Sequence, residues 1–379
     1  MPTMITIHKS PFLLILLLLP SFLSFGQEEI ADKLPDVIGP SPDVAALAKY
    51  IDFPVNHASG IPNIEIPIYT VSEGSLEVPI SLNYHAGGVK VTETASSVGL
   101  GWSLNAGGVV SRMIKHHPDD QGIGYLHNEF YSSGDIPNDP SISFFDGLDT
   151  EPDMFFFNFM GYSGSFQYNK NNGEALEVGF IPLIENNIEI DFKLDGKKID
   201  EFILTTPDGT KYYFGKDADG EDVKEKIDIQ YETLSLTNSL SSEPNRGPYV
   251  TSWFLTKIES ITGQQITLIY EESNGYEATL ESQKILMQRP GDYNDILREN
   301  DFNISSTFSK KDYVGYRIAS IESSISRVEF EYDTQSREDF IGAQKLNTIK
   351  IKRSDGATFK KFVLNHDYFV SNAPIESDP

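Results

Sequence analysis

Ile61-Pro62-Asn63-Ile64-Glu65-Ile66-Pro67-Ile68-Tyr69-Thr70 alternates apolar and polar side chains, and Leu76-Glu77-Val78-Pro79-Ile80-Ser81-Leu82-Asn83-Tyr84 does the same shortly after. A period of two puts Ile64, Ile66 and Ile68 on one face, as in a half-buried strand, and Glu73-Gly74 between the runs is turn chemistry. The pair reads as a β-hairpin. Pro62, Pro67 and Pro79 cannot donate to a ladder, so they place these strands at an edge or beside a bulge.

The same pattern recurs down the chain. Residues 154–159 (MFFFNF) and 164–168 read as strands about Gly161-Tyr162-Ser163. Residues 201–206 and 210–214 flank Pro207-Asp208-Gly209, which suits a hairpin tip. Residues 253–260 and 265–271 flank Thr262-Gly263; 316–322 and 327–332 form a similar pair; 345–352 and 358–365 flank Ser354-Asp355-Gly356. Leu255-Thr256-Lys257-Ile258, Ile318-Ala319-Ser320-Ile321 and Leu346-Asn347-Thr348-Ile349 form a weak internal repeat at unequal spacing, each opening a strand–turn–strand unit. Helical periodicity is confined to residues 44–50 and to 277–287, where Leu280, Lys284 and Ile285 suit a short helix or a strand equally. Polar stretches at 133–140, 217–226 and 235–247 read as surface loops. The expected fold is all-β, antiparallel hairpins forming a curved sheet or sandwich, with one short N-terminal helix besides the signal helix.

The chain has 379 residues, enough for about two domains. With 30 Lys and Arg against 56 Asp and Glu, its formal net charge is −26. Nucleic-acid binding needs clustered cations, and none are visible. There is no Cys, so disulfides, thiolate metal sites and a Cys nucleophile are excluded. With 24 Phe and 18 Tyr, a substantial core is available. Lys9, the apolar run 11–19, Pro20 and small residues at Ser24 and Gly26 read as a signal peptide spanning 1–26. A retained anchor helix is the alternative, although the run is shorter than the ~20 residues of a comfortable membrane span. The expected organisation is a leader over 27–55, a first β module over 56–145 and a hairpin-rich second module over 146–379. Localisation would be extracellular or at the cell surface, where a negative charge favours solubility and slows approach to anionic membranes.

Motifs with chemical potential each have a plain structural reading. His116-His117-Pro118-Asp119-Asp120 offers metal donors, but adjacent strand positions point to opposite faces, so it reads as a strand end entering a loop. Asp217-Ala218-Asp219-Gly220-Glu221-Asp222 looks like part of a Ca²⁺ loop, yet the position that needs Glu is Lys226. Gly161-Tyr162-Ser163-Gly164-Ser165 lacks the closing glycine of a nucleophile elbow. Paired carboxylates for glycoside hydrolysis cannot be located among so many acids. The aromatics of 154–168 could stack on sugars if exposed; alternation points rather to a core. The expectation is no enzyme, no cofactor and no metal.

Residues 60–120 carry a resemblance. Gly60-Ile61-Pro62, Val78-Pro79-Ile80-Ser81-Leu82-Asn83-Tyr84 and Gly88-Val89-Lys90-Val91 are followed by residues 95–112 (ASSVGLGWSLNAGGVVSR) and Pro118-Asp119-Asp120. This block resembles the amino-terminal region of secreted RHS/YD-repeat proteins of Bacteroidetes. Its Gly99-Leu100-Gly101-Trp102-Ser103-Leu104 centre is similar to the SpvB-type domain heading the B components of Tc toxins. Residues 202–215, 252–258, Arg337-Glu338-Asp339 and 362–369 fit the same region. Gly99, Gly101, Gly107 and Gly108 supply bends without a Cβ, Trp102 can anchor a core, and Arg112 can pair with Asp119 or Asp120 across the turn. These residues form a structural signature, and the resemblance carries over no catalytic residue.

The resemblance implies a scaffold in which β-hairpins wind into a hollow shell around a carboxy-terminal toxin or effector. The implied partners are therefore downstream repeats and an effector domain of the same polypeptide. The chain departs from that pattern in lacking a YD-repeat array, with only Tyr332-Asp333 in similar context, and the Asp-Pro-rich self-cleaving core. Its end at Asp378-Pro379, soon after a strand, fits a fragment of a larger protein. The rival expectation is a free-standing extracellular module that binds glycans or proteins.

Overall fold

The computed structural model describes residues 62–88, 93–115, 117–121, 124–127, 149, 151–169, 179–183, 187–235, 240–242, 246–287 and 302–369. All of them fall in one compact unit, Val55–Pro379. The signal segment, the leader with its short helix, and the loop at 133–140 lie outside the described residues. Among the described residues there are eighteen strands and one 3-10 turn, Tyr125–His127. No helix among them is long and apolar enough to cross a membrane.

The opening hairpin is β1 (Asn63–Glu73) and β2 (Leu76–His85), and β3 (Trp102–Asn105) completes a three-stranded sheet in the order β1-β2-β3. The prolines sit where a missing N–H is tolerated. Pro67 adjoins the bulge where the β1–β2 register shifts, and Pro79 lies outside the Ser81–Tyr84 stretch that β3 covers. Leu76, Val78 and Ile80 are buried in alternation on β2, but β1 departs from the single face expected of Ile64, Ile66 and Ile68. Ile68 and Val71 are buried while Ile66 is 44% exposed, because the bulge between Pro67 and Tyr69 breaks the period of two.

The remaining strands form one fifteen-stranded sheet. β4 (Gly108–Met113), β5 (Met154–Phe159), β6 (Tyr162–Asn169) and β7 (Gly179–Pro182) run to one edge; β8 (Glu189–Asp195), β9 (Lys198–Thr205) and β10 (Lys211–Phe214) form a branch. β11 (Lys224–Ser235), β12 (Leu240–Ser242), β13 (Arg246–Glu259), β14 (Gln265–Met287) and β15 (Phe302–Glu322) make the centre. β16 (Ser326–Tyr332), β17 (Leu346–Arg353) and β18 (Thr358–Val363) reach the other edge. Every strand pairing is antiparallel.

β13 is the branching strand. Its first half pairs with β11 and its second half with β10 and β14, while Ser252–Phe254 also meets β4. β14 and β11 both pair with β15, so the pairing closes into a circuit β11–β13–β14–β15. Sheets beyond about ten strands curl or split rather than stay flat, and this circuit is where the present one folds back on itself.

Three local readings change in three dimensions. Residues 277–287, compatible with helix or strand, lie in β14, paired with β15 from Glu277 to Met287. Residues 235–247, read as a loop, contain β12 and the start of β13. Residues 217–226, read as a surface loop, end in the start of β11, where Lys224 is buried and pairs with Trp253. In each case a long-range partner satisfies the backbone, which no local pattern reports.

The core is aromatic. Phe155, Phe157 and Phe159 on β5 are buried while Phe156 between them is 38% exposed, so the run obeys the strand period. Phe155 stacks on Phe166 at 5.3 Å and meets Phe180 and Phe202 edge-on at 5.0 and 5.6 Å. Trp253, fully buried, closes the cluster against Phe202 at 5.1 Å. The internal repeat has a packing reason: Leu255 and Ile258 on β13, Ile318 and Ile321 on β15, and Leu346 and Ile349 on β17 are all buried. Phe155→Ala is expected to cost about 3–5 kcal/mol in urea unfolding, whereas Phe156→Ala costs under ~1 kcal/mol. Equal losses would contradict the inward alternation.

Candidate functional site

The Gly-rich signature builds a tight loop between β2 and β3. Ser96 organises it: its Oγ donates to the Trp102 carbonyl at 2.6 Å and accepts from the Val98 N–H at 3.2 Å. Trp102 N–H returns to Gly99 O at 3.2 Å, and His85 N–H donates to Gly101 O at 2.8 Å. Gly101 has φ +73°, and a Cβ there would fall 2.8 Å from the Tyr84 ring, so both conformation and space require glycine. Gly99 and Gly107 also have positive φ. Gly108 is required for a different reason, since its Cβ would lie 2.5 Å from that of Phe159. Trp102 is half-buried and packs on Tyr84 at 5.1 Å; the fully buried indole is Trp253.

This loop is tied to the far end of the chain. Leu346 N–H donates to Ser97 O at 2.9 Å, and Arg337 Nη2 donates to Ala95 O at 2.7 Å. Arg337 is itself held by Asp339, with contacts of 3.0 and 2.6 Å.

Arg112, on β4, is the centre of a second assembly. Its Nε donates to Val250 O at 2.9 Å, and Nη2 donates to the same carbonyl. Nη1 meets Asp120 Oδ1 at 2.7 Å and stands 3.8 Å from Asp153 Oδ2. The guanidinium carbon lies 5.3 Å from the Trp253 ring centroid and 5.9 Å from that of Phe155. Asp119 pairs with Asp153 rather than with Arg112, each backbone N–H donating to the other's carboxyl at 3.0 Å. Lys115 N–H donates to Asp153 at 2.8 Å, and Ile199 N–H to Asp120 at 2.9 Å. Arg112, Asp119, Asp120 and Asp153 are all buried.

Charge is unevenly held here. Burial pushes the Asp119 carboxyl up to about 8, with the Asp153 charge adding and the Asp153 N–H and Arg112 opposing. Burial likewise raises Asp153 to about 6, against the pull of Arg112. Asp119 therefore keeps its proton at neutral pH. An enclosed pair of this kind, with its guanidinium bound to a backbone carbonyl, fixes strands and offers no access to a substrate.

The other sequence candidates stay apart. His116 lies outside the described residues, and His117 is exposed. Asp217 accepts from the N–H groups of Asp219 and Glu221 at 3.0 and 2.8 Å, the bonds of a turn. Asp222 is held well below the usual carboxylate range by Lys216, Lys224 and Lys226, which outweigh the opposing effect of burial. Among the described residues no group of three or more His, Asp or Glu is arranged to hold a metal ion.

The feature that sequence reading missed is a cleft between the two sheets. It encloses 740 Å³ and adjoins a second hollow of 380 Å³, the two sharing Ser96, Ser97, Tyr316, Arg317 and Tyr332. Asn83 and Asn105 line it from the small sheet, Asn158 from β5, and Tyr270, Tyr316 and Tyr332 from the large sheet. Tyr270 forms the floor, its hydroxyl donating to Leu255 O at 2.9 Å. Arg317 lies 4.4 Å over the Tyr332 ring, meets Glu271 at 3.2 Å and donates to Gln344. These residues come from strands distant in sequence, so no local motif announces them.

Two substitutions test the buried assembly. Asp119 ionises near 3.8 in an unfolded chain but near 8 in the fold, so its contribution to stability is complete below about pH 4 and declines as pH rises to about 8. Asp119→Asn cannot ionise and keeps an oxygen for the Asp153 N–H. Its Tm relative to wild type should climb from pH 4 to pH 8, and parallel profiles would contradict the assignment. Arg112→Met, which leaves buried carboxylates uncompensated, should cost about 3–5 kcal/mol.

No family model matches the chain, and no curated protein matches it. Among solved structures it is similar to TcdB2-TccC3, with TM-score 0.41 and 11% identity over 83% of this chain and 15% of that one. It is also similar to the Photorhabdus luminescens Tc holotoxin pore, with TM-score 0.34 and 12% identity over 79% of this chain and 15% of that one. A further similarity is to the N-terminal domain of the effector protein SpvB from Salmonella typhimurium strain LT2, with TM-score 0.34 and 12% identity over 76% of this chain and 87% of that domain. The chain thus spans about 15% of the length of the Tc chains and most of the SpvB domain.

Proposed function

We propose that this chain is a non-enzymatic structural module of an exported RHS/YD-repeat protein, building or capping a β-shell around a downstream effector. The observation that carries the reading is the fifteen-stranded antiparallel sheet that closes on itself through β11, β13, β14 and β15. A wall needs continuous pairing and internal ties, and the buried charges of this protein serve as ties. Arg112 joins β4 to β13, and Arg337 joins the 95–102 loop to the segment before β17. The resemblance of residues 60–120 supports the family reading, and the signal segment supports export.

The alternative, a free-standing extracellular binding module, loses its original support at 154–168. Phe155, Phe157, Phe159 and Phe166 pack inward, leaving Phe156 and Tyr162 partly exposed.

The reading is tested by the mass of the native polypeptide in the producing organism, detected with an antibody to residues 60–120. A band several-fold above 42.3 kDa is expected, because a shell module requires downstream repeats and cargo. A secreted band near that mass would overturn the shell reading.

A further inference from the structure

The cleft between the two sheets has a wall chemistry unlike the rest of the protein. The chain carries 56 acidic residues, yet no Asp or Glu lines either hollow. Both arginines that line them are ion-paired, although Arg317 Nε keeps no hydrogen-bond partner among the described residues. Arg317 meets Glu271 at 3.2 Å, and Arg337 meets Asp339 at 2.6 Å. A phosphate or carboxylate ligand would find no unpaired cation, and a metal or ammonium ligand no carboxylate. The wall therefore selects for a neutral occupant.

It also selects for a hydroxylated one. Asn105 and Asn158 are exposed and make no side-chain hydrogen bond among the described residues, so both amides can donate and accept. Ser103 stands with them on the rim. Tyr316 lines the same cleft; it is half-buried and its ring packs on no other ring or cation among the described residues, so the ring is free to stack. Amides, a hydroxyl and a free tyrosine ring in one cleft suit a pyranose, whose edge is hydroxyls and whose face is C–H. A volume of 740 Å³ lies within the range of about 300–1,000 Å³ typical of small-ligand clefts. A peptide strand would be read mainly through a free backbone edge, and the small-sheet edge facing this space, β3, is four residues long.

We propose that this cleft binds a short neutral oligosaccharide, with Tyr316 as the stacking platform and Asn105 and Asn158 as hydroxyl readers. The site is separate from the shell reading, since a wall module can carry a surface cleft, and either can fail alone.

The test is isothermal titration of the full chain with cellotriose, maltotriose, laminaritriose and N-acetylated chitotriose. Trigalacturonate and trialanine serve as an acidic and a peptide comparison. Saturable binding of at least one neutral trisaccharide is expected. Tyr316→Ala should weaken it at least tenfold and Asn158→Ala severalfold. Because Asn158 is exposed and unbonded, its variant should keep the wild-type Tm, which separates lost binding from lost folding. Absence of saturable binding by all four neutral trisaccharides would overturn the proposal. So would affinity unchanged by both substitutions, or stronger binding of trigalacturonate or trialanine.

Discussion

The guanidinium of Arg112 is the point on which several elements converge. It reaches from β4 to the Val250 carbonyl on β13, lies over Trp253 and Phe155, and binds the Asp120 carboxylate, which in turn caps Ile199 on β9. Burying a charge is costly unless it is paired and hydrogen-bonded, and here the partners come from separate strands. The consequence is specificity of arrangement: only one placement of β4, β9 and β13 satisfies the group. Asp119 and Asp153 extend the same constraint to the start of β5, where burial, reinforced by the neighbouring Asp153 charge, keeps the Asp119 carboxyl protonated.

β13 transmits that placement through the sheet. Its neighbours change along its length, β11 and β4 near Trp253 and then β10 and β14, so one strand belongs to several local ladders. The short segment between β10 and β11 shows how the change is made. Gly215 N–H donates to Phe254 O at 2.9 Å and Phe254 N–H to Val223 O at 3.2 Å, so a single residue of β13 bridges both. Gly215 must lack a side chain here, because a Cβ would fall 2.6 Å from the Trp253 ring. Lys224, buried at the start of β11, is compensated by Asp200 at 2.5 Å and Asp222 at 2.9 Å. Polar ties and aromatic packing thus lie on the same strand.

Scaffold and cleft follow from one architecture. The small sheet is fastened to the large one by Leu346 and Arg337 reaching the 95–102 loop, and the space left between the sheets is the cleft. Among the described residues no Asp or Glu lines it, and Arg317 on its wall is ion-paired with Glu271 at 3.2 Å.

The alternation in 76–80, the turn residues at Pro207-Asp208-Gly209 and Ser354-Asp355-Gly356, and the inward phenylalanines of β5 were legible in the sequence, because strand period and turn chemistry act over a few residues. The bulge that turns Ile66 outward on β1 was not. Gly101 was legible for the same reason, since its conformation is local. Arg112 and Asp120 lie close enough in sequence for their pairing to be weighed as one of two choices. Asp153, Val250 and Trp253 were not legible as their neighbours, nor was the conversion of 277–287 into a strand of twenty-three residues. Those depend on which backbone groups remain unpaired once the other strands are in place. The sequence by itself determined that this protein is built of antiparallel hairpins, that it is acidic, and where its tight bends lie. Only the tertiary structure decided that the hairpins close through β13, that the charges of Arg112 and its partners are buried ties, and that a cleft free of acidic residues lies between the sheets, because long-range pairing and desolvation are properties of the assembled chain.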